Sequence, residues 1–378
     1  MLKFVWKARH TRAPADSQWQ AATDELHRLD DTRPLQGFPR AGFDINAAGP
    51  PLAPASAALA ALAGDWAAGL AGQAAVVMVH GFDFDPTVDQ RGNPGDDPYT
   101  LVFGPPDQPE SWLPMIQPDG EGARCVAFAW TSIGDFFQYG DAGWSNPYQY
   151  PVLDLAPLAA RALATVIATL TDAGATVDLL AHSLGTRTST QALRILAANG
   201  RADAVRRAVL LGGAQFCCDA DAAMGQARCQ VFNLVNRDDE VLGLGGEPMC
   251  HPYRRNGSPE SKVIGLQGLP GHGPRWLDLQ LDSSVFRDGM AARGYPVSGE
   301  PVGGRGRHWA YYRQPGNRKL IADLLGGPML APEWFAGLPT TVTPSRYIPP
   351  CPVPATPLAA ADRIALNEPN PVDNPALA

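Results

Sequence analysis

The sequence is poor in positive charge and has no long apolar run, and these two absences exclude several classes of protein. Lysine and arginine number 30 against 38 aspartates and glutamates, so the 378-residue chain carries a formal net charge of −8. Nucleic-acid recognition needs clustered positive charge that follows the phosphates, so we expect no nucleic-acid partner. No stretch offers 18 strongly apolar residues, so we expect no integral membrane segment.

Two further absences concern export signals and paired cysteines. Residues 1–7 lack a long apolar core followed by a small-residue cleavage site, so we expect a cytoplasmic protein. None of the six cysteines forms a C-x-x-C pair, and reduced thiols in or near the core are the simplest expectation. One alternative is a disulfide between Cys229 and Cys250. The other is a metal site formed by Cys217, Cys218, Cys229, Cys250 and His251.

Glycine and proline, in contrast, are abundant, with 39 and 37 residues. Glycine and proline at this density predict long loops and exclude a coiled coil or a helical repeat array. Residues 1–73 form an N-terminal extension without a catalytic signature, in which Leu2–Ala8 is a candidate strand and Ala15–Leu29 a candidate polar helix. Residues 326–378 carry 12 prolines, which predict either an extended C-terminal arm or a disordered tail.

Between residues 74 and 325, short apolar runs alternate with longer amphipathic segments. This alternation predicts an α/β domain with a mainly parallel central sheet flanked by helices. The predicted strands are 74–79, 125–130, 177–180, 208–211, 230–235 and 276–281. The predicted helices are 153–173, 186–199 and 317–325.

The strongest chemical signal is the serine of Ala181-His182-Ser183-Leu184-Gly185, which stands between a predicted strand and a predicted helix. A serine hydroxyl becomes a nucleophile only when it is exposed and a base takes its proton. A sharp strand-to-helix turn exposes the hydroxyl but needs small residues two positions before and after it, and Ala181 and Gly185 meet that need. The alternative is that Ser183 only caps the helix.

Acyl transfer also needs hydrogen-bond donors for the developing oxyanion. Gly81, at the end of an earlier predicted strand, allows a sharp turn that directs the backbone N–H of Phe82 toward a substrate. The N–H of Leu184, directly after the serine, is the second candidate donor. The alternative is that His80-Gly81 merely ends a strand.

A base and an orienting acid are expected later in the chain. His308 follows the glycine-rich run 302–307 and precedes the last predicted helix, so it is the candidate base. The acid should follow the strand 230–235, where Asp238 and Asp239 stand side by side. Asp239 is preferred because a Val-Leu step after residue 240 returns the chain to the sheet, and Asp238 is the alternate acid. Two aspartates after the preceding strand, Asp219 and Asp221, are further alternatives.

Together these residues resemble the serine hydrolases of the α/β-hydrolase superfamily, whose chain order is serine, acid, histidine. Within the resemblance, which covers about residues 74–325, the segments Val76–Phe82, Phe128–Trp130 and Val177–Gly185 look like a poorly characterised group of bacterial esterase/lipase-like members. The resemblance implies the α/β-hydrolase fold and a carboxylic-ester hydrolase without metal or organic cofactor. Its catalytic roles transfer only to Ser183, His308, one aspartate of the 238–239 pair, and the amides of Phe82 and Leu184.

The long loops are expected to form a cap over the site, from insertions at about 82–122, 131–152 and 243–306. Aromatic residues in and near these loops would line a pocket for a small apolar ester, and at least half of them are expected to be ordinary core. The candidate pocket residues are His182, Trp130, Phe136 and Trp309, with Phe82, Phe137, Tyr139, Trp144 and Tyr311 as further aromatics.

Several alternatives stay open at the level of sequence. The same triad would serve an amide, lactone or thioester hydrolase or an acyltransferase, and a non-catalytic binding protein is a second reading. The acidic segment from Asp83 to Asp97 lacks the glycine and terminal glutamate of an EF-hand, so a solvated loop is expected there.

Overall fold

A computed structural model of the chain describes residues 1–12, 19–28, 36–38, 61, 74–84, 97–116, 125–132, 151–243, 263–326 and 330–342. Within these residues one sheet of nine strands forms the centre of the molecule, in the order β3-β2-β1-β5-β4-β6-β7-β8-β9. The strands are β1 (Leu2–Arg12), β2 (Trp19–Arg28), β3 (Gln36–Phe38), β4 (Ala74–Val79), β5 (Cys125–Trp130), β6 (Thr176–His182), β7 (Val205–Leu211), β8 (Gln230–Val235) and β9 (Trp276–Gln280).

The described helices lie on both faces of this sheet. The α-helices are α1 (Leu113–Ile116), α2 (Pro151–Asp172), α3 (Gly185–Ala198), α4 (Cys217–Met224), α5 (Ile264–Gln267), α6 (Ser284–Ala291), α7 (Ala310–Arg313) and α8 (Pro315–Gly326). Short 3-10 helices stand at Gly273–Arg275, Arg307–Trp309 and Pro332–Phe335. None of the described helices is long and apolar enough to cross a bilayer.

Seven neighbouring strands of the sheet run parallel to one another: β1, β5, β4, β6, β7, β8 and β9. This confirms the predicted α/β class with a mainly parallel sheet. Parallel strands covered by helices on both faces are buried on both faces, and this explains their continuous apolar runs. All six residues of β5 are buried, and so are the last six of β6. The six strands predicted within residues 74–281 are all present, each within three residues of its predicted ends.

The prediction of a polar helix over Ala15–Leu29 is wrong. Residues Trp19–Arg28 form β2, which pairs antiparallel with β1 from Phe4 opposite Arg28 to Arg12 opposite Trp19. Helix propensity is a weak preference, and pairing with a neighbouring strand overrides it by satisfying the backbone groups. Strand β1 lies between β2 and β5, so the described part of residues 1–73 contributes strands to the same sheet.

Two apolar clusters fill the space on either side of the sheet. Helices α2 and α3 pack together on one side, over alternate residues of β4 and β6 such as Val77 and Leu179. Helix α8 and the 97–116 segment pack on the other side, where Phe103 and Trp112 are fully buried. The described part of the C-terminal segment joins this second cluster through Leu330 and Phe335.

Some sequence-based predictions fall outside the described residues. These are most of the expected cap, the aromatic residues Phe136, Phe137, Tyr139 and Trp144, and the C-terminal arm beyond residue 342. Cys250 and His251 also lie outside them, and within the described residues no disulfide joins Cys125, Cys217, Cys218 and Cys229. No group of three or more metal-ligating side chains forms within the described part of the chain.

Candidate active site

The predicted catalytic segments meet at one edge of the sheet. The turns that follow β4, β6 and β8 leave the carboxyl ends of parallel strands, and this edge is where α/β sheets place their ligand-binding loops. The turn after β4 carries Gly81, the turn after β6 carries Ser183, and the turn after β8 carries Asp239. Residues that are more than 50 positions apart in sequence are thereby brought to the same end of the sheet.

Ser183 lies in a strained turn that the surrounding backbone holds in place. Its φ of 52° is in the left-handed region, and among the described non-glycine residues only Asp83 shares that feature. The Ser183 N–H donates to the carbonyl of Leu211 at 3.0 Å, and the Ser183 carbonyl accepts from the backbone N–H of Thr186 and of Ala214. The Thr186 hydroxyl donates to the same carbonyl at 2.7 Å. Strain of this kind persists only where neighbouring bonds over-determine it, and it is common at functional sites.

Two glycines allow the turn of Ser183 to approach the end of β4. A Cβ added at Gly185 would collide with the backbone carbonyl oxygens of Val79 and His80. A Cβ at Gly81 would lie 2.8 Å from the Cβ of Ser183. The glycine positions that the sequence motifs predicted are therefore required by close backbone contact, and the turn after β4 lies directly against the serine.

His80 holds the turn that contains Gly81. The backbone N–H of Trp130 donates to His80 Nε2 at 3.0 Å, so the ring proton is on Nδ1, which donates to the Gly81 carbonyl at 2.9 Å. The Trp130 indole N–H donates in turn to the His80 carbonyl. In a trans peptide the carbonyl and the next N–H point in opposite directions. The His80 ring therefore sets the direction of the Gly81–Phe82 peptide, whose N–H is the predicted oxyanion donor.

The structure distinguishes between the two adjacent aspartates. Asp239 is buried, and its Oδ2 accepts from His308 Nδ1 at 2.8 Å. Asp238 is exposed, and its backbone N–H donates to the side chain of Asn236. The preference for Asp239 thus agrees with the contact that an orienting acid must make.

The two earlier aspartates pair with other side chains. Asp219 lies 3.6 Å from the guanidinium of Arg187, and both side chains are buried. Asp221 lies 2.8 Å from Nε2 of His272. Neither carboxylate has a contact with His308.

Four donors surround the Asp239 carboxylate. Besides His308, the hydroxyl of Tyr311 donates to Oδ2 at 3.1 Å, and the backbone N–H groups of Val241 and Leu242 donate to Oδ1 at 3.0 Å each. Burial alone would raise the pKa of the carboxyl, but the charge and hydrogen bond of His308, together with the other donors, hold the pKa of Asp239 below its ordinary value. The carboxylate is therefore ionised and held in one orientation at neutral pH.

His308 stands in a short 3-10 helix beside the turn of Ser183. Its backbone carbonyl accepts from His182 Nε2 at 2.9 Å, and the rings of His182 and His308 lie 4.6 Å apart. The ring of Trp309 meets the His308 ring edge-on at 5.4 Å. Because Nδ1 of His308 donates to Asp239, a neutral His308 ring has its other nitrogen, Nε2, free of a proton. That nitrogen has the electron pair that a general base needs.

The predicted pocket and oxyanion residues have different environments. Leu184 is buried, and no acceptor for its backbone N–H is found among the described residues. Trp130 is fully buried, so it contributes through His80 rather than through a surface open to a ligand. Trp309 is half-buried beside His308, and His182 is buried against the same residue. Phe136 lies outside the described residues.

The sequence analysis assigned Tyr311 only to the aromatic lining, whereas the structure shows a polar contact. Its hydroxyl donates to Asp239, and its ring lies against Gly212, whose φ is +50° and where a Cβ would collide with the ring. Tyr311 follows His308 by three residues, and such a spacing within one helical turn places two side chains on the same side. That spacing is the only signal in the sequence that could have pointed to the contact.

For the ester hydrolysis that the sequence resemblance implies, replacing Tyr311 with phenylalanine is expected to lower kcat about 5-fold to 10-fold and to leave KM nearly unchanged. The variant loses one hydrogen bond to a charged carboxylate, which typically contributes about 1.5–3 kcal/mol, while three other donors still hold Asp239. Steady-state kinetics measure the change, and the proton NMR resonance of His308 Nδ1–H should shift.

Tyr312→Phe is the matched control, since Tyr312 is also buried but its ring contacts Trp112 and His182 rather than the carboxylate. A merely structural role for Tyr311 would leave the imidazole resonance in place and lower only the melting temperature. Equal kinetics for Tyr311→Phe and the wild type would contradict the assignment.

The protein is expected to be less stable at pH 5.0 than at pH 7.5. Burial lowers the pKa of both His80 and His182 to about 3, and the charge of His308 adds to the effect at His182. As pH falls below about 6.5, the unfolded chain binds a proton at each imidazole that the folded chain excludes, so stability is lost. Asp278 acts in the opposite sense, because burial raises its pKa to about 6.

Burial also raises the pKa of Asp178, which acts in the same sense as Asp278. The two imidazoles outweigh these carboxyls, so the urea concentration at the midpoint of unfolding should be lower at pH 5.0 than at pH 7.5. The variant Asp278→Asn removes one opposing group and should make this decrease larger. An unchanged or higher midpoint at pH 5.0 would show that the two histidines are not excluded from protonation in the folded state.

Comparisons with family models, with curated proteins and with solved structures find no match to this chain. The residues and their geometry are therefore the whole basis for a functional assignment.

Proposed function

We propose that this chain is a serine hydrolase of the α/β-hydrolase superfamily, which cleaves carboxylic esters through an acyl-enzyme. One observation carries the proposal: the buried Asp239–His308 hydrogen bond is joined, through the contact of His308 with His182, to a serine in a left-handed strand-to-helix turn. The order of the three residues along the chain and their place after β6, β8 and β9 agree with the superfamily. A helix N-cap role alone would not explain the strain at Ser183, because caps normally have extended backbone.

In the first half of the proposed mechanism, His308 Nε2 takes the hydroxyl proton of Ser183 as Oγ attacks the ester carbonyl carbon. The negative charge on the carbonyl oxygen is stabilised by the N–H groups of Phe82 and Leu184. The tetrahedral intermediate collapses, the carbon–oxygen bond to the alcohol breaks, and His308 returns its proton to the leaving oxygen. Asp239 keeps the imidazole in the productive tautomer and stabilises its positive charge.

In the second half, water replaces the alcohol. His308 takes a proton from water, the hydroxide oxygen attacks the acyl carbon, and the bond to Ser183 Oγ breaks as the proton is returned to Oγ. The acid product leaves and the enzyme is restored. No step uses a group other than the residues named here and water.

A fluorophosphonate probe tests this proposal directly, because such probes react with serines that a neighbouring base activates. The full-length protein is expected to be labelled in a 1:1 ratio, with the adduct located by peptide mass analysis on the peptide that contains Ser183. Prior unfolding in urea should abolish labelling, since activation depends on the assembled triad. Folded protein that stays unlabelled, or that is labelled on another serine, would refute the proposed nucleophile.

A further inference from the structure

A tight turn precedes His308 and presents an arginine. Val302 and Arg305 form an isolated antiparallel bridge, and the two residues between them, Gly303 and Gly304, have φ values of 62° and 74°. A two-residue turn with both φ values positive is the type that glycine allows. The position of Arg305 is therefore set by a defined turn rather than by an irregular loop.

A largely buried ion pair packs against this turn. The guanidinium of Arg313 lies within 2.9 Å of the point that a Cβ on Gly303 would occupy. The same guanidinium lies 3.5 Å from the carboxylate of Glu110, and both side chains are largely buried. The turn is thus tied to the 97–116 segment, which packs on the same side of the sheet as α8.

From His308 outward, three contacting side chains become progressively more exposed. His308 is buried, Trp309 is half-buried with its ring 5.4 Å from the His308 ring, and the exposed Arg305 guanidinium lies 5.8 Å from the centre of the Trp309 ring. This series leads from the proposed base to solvent.

The charge of Arg305 has no carboxylate partner and no hydrogen-bond acceptor among the described residues. Its neighbours differ in this respect, since Arg307 pairs with Glu300 and Arg313 pairs with Glu110. Within the described part of the chain, the guanidinium donors of Arg305 therefore lie near the proposed base without a protein acceptor, on a protein of net charge −8.

Resting on the proposed hydrolase function, we propose that Arg305 and Trp309 form a subsite for an anionic group of the substrate. The preferred substrates are then esters that carry a carboxylate or a phosphate-like group several bonds from the scissile carbonyl. A guanidinium binds either anion through two parallel hydrogen bonds, and the face of Trp309 limits the directions in which the fork can point. The aromatic residues predicted a small apolar ester as the substrate. The charge of Arg305 narrows that substrate class to esters that also carry an anionic group.

One acidic side chain acts against this preference. The carboxylate of Glu240 contacts Gly306, next to Arg305 in the chain, and its Oε2 is buried without a hydrogen-bond donor among the described residues. A negative charge there repels an anionic substrate. The variant Glu240→Gln is therefore expected to increase the preference for the anion.

The experiment compares three p-nitrophenyl esters on the full-length protein. They are the glutarate half-ester with a free carboxylate, the same compound with that carboxylate capped as a methyl ester, and the 4-phosphonobutyrate ester. Arg305→Gln is expected to lower kcat/KM for at least one anionic ester about tenfold, mainly through KM, and to change the capped ester less than twofold. The two anionic esters show which anion the subsite prefers, and 0.5 M salt should shrink the preference.

Arg293→Gln is the matched control. Arg293 is also exposed and stacked on a tryptophan, with its guanidinium 5.5 Å from the Trp334 ring, but it follows α6 and bonds to Ala336. Its replacement should leave all three esters unchanged.

The outcomes separate the two proposals. If hydrolysis of all three esters depends on Ser183 but Arg305→Gln changes them equally, the anionic subsite is wrong and the hydrolase proposal stands. If the wild type hydrolyses none of the esters and resists the fluorophosphonate probe, the hydrolase proposal fails and the subsite fails with it.

Discussion

Replacing Ser183 with alanine is expected to lower the rate of p-nitrophenyl ester hydrolysis by at least about 10³-fold. The hydroxyl is the only group of the protein that forms a bond to the acyl carbon in the proposed mechanism, and loss of such a nucleophile leaves only the contribution of oxyanion donors and binding. Stability should hardly change, because alanine keeps the Cβ and the backbone bonds that hold the left-handed turn. Initial rates and thermal unfolding of the purified variant measure both effects.

Ser189→Ala provides a matched control from α3, the helix that follows the turn of Ser183. Ser189 is fully buried in α3, and its hydroxyl has no hydrogen-bond partner in the described part of the chain. Its removal should leave the hydrolysis rate within about twofold of the wild type. The proposed role of Ser183 is refuted if Ser183→Ala retains full esterase activity, or if both variants lose activity to the same degree through unfolding.

Replacing Asp239 with asparagine is expected to lower kcat about 10³-fold to 10⁴-fold. The amide removes the negative charge that stabilises the imidazolium, and its NH₂ group can favour the wrong tautomer of His308. The side-chain oxygen that accepts from Val241 and Leu242 is retained, so the fold should survive. Steady-state kinetics and far-UV circular dichroism on the same preparation separate a loss of turnover from a loss of structure.

The adjacent residue supplies the control for this change. Asp238→Asn makes the same substitution one position earlier, where the side chain is exposed and does not contact His308. Its kcat should stay within about twofold of the wild type. A large loss at Asp238 together with a small loss at Asp239 would reverse the assignment of the acid.

The turn motifs could be predicted from sequence because each one is local. The small residues around Ser183 and the glycine after β4 are needed by a turn of five residues, so the pattern and its reason lie in one stretch of chain. The parallel strands could be predicted for a similar reason, since burial on both faces leaves a continuous apolar run.

The choice of acid and the role of Tyr311 could not be settled in this way. Asp238 and Asp239 are the same residue type one position apart, and only the path of the chain after β8 decides which one meets His308. Tyr311 contacts a carboxylate 72 residues away in sequence, and its ring needs the space that Gly212 leaves. No local pattern records contacts over such separations.

The N-terminal segment is a case in which the local sequence gave the wrong prediction and a tertiary contact decided the structure. Residues 19–28 have no regular apolar alternation that marks a strand, and the polar composition favoured a helix. Pairing with β1 decided the matter, because an antiparallel partner satisfies backbone groups regardless of the side chains that face outward.

The sequence by itself determined the α/β class, the strained serine turn and the small set of residues able to act as base and acid. These features depend on burial periodicity and on turn sterics, which act over a few residues. The tertiary structure alone decided which aspartate contacts His308 and that Tyr311 and His80 hold the turns of the proposed catalytic residues. It also decided that Arg305 stands near the proposed base without a carboxylate partner among the described residues. Such contacts depend on where distant strand ends and loops meet, and that is set by packing of the whole sheet.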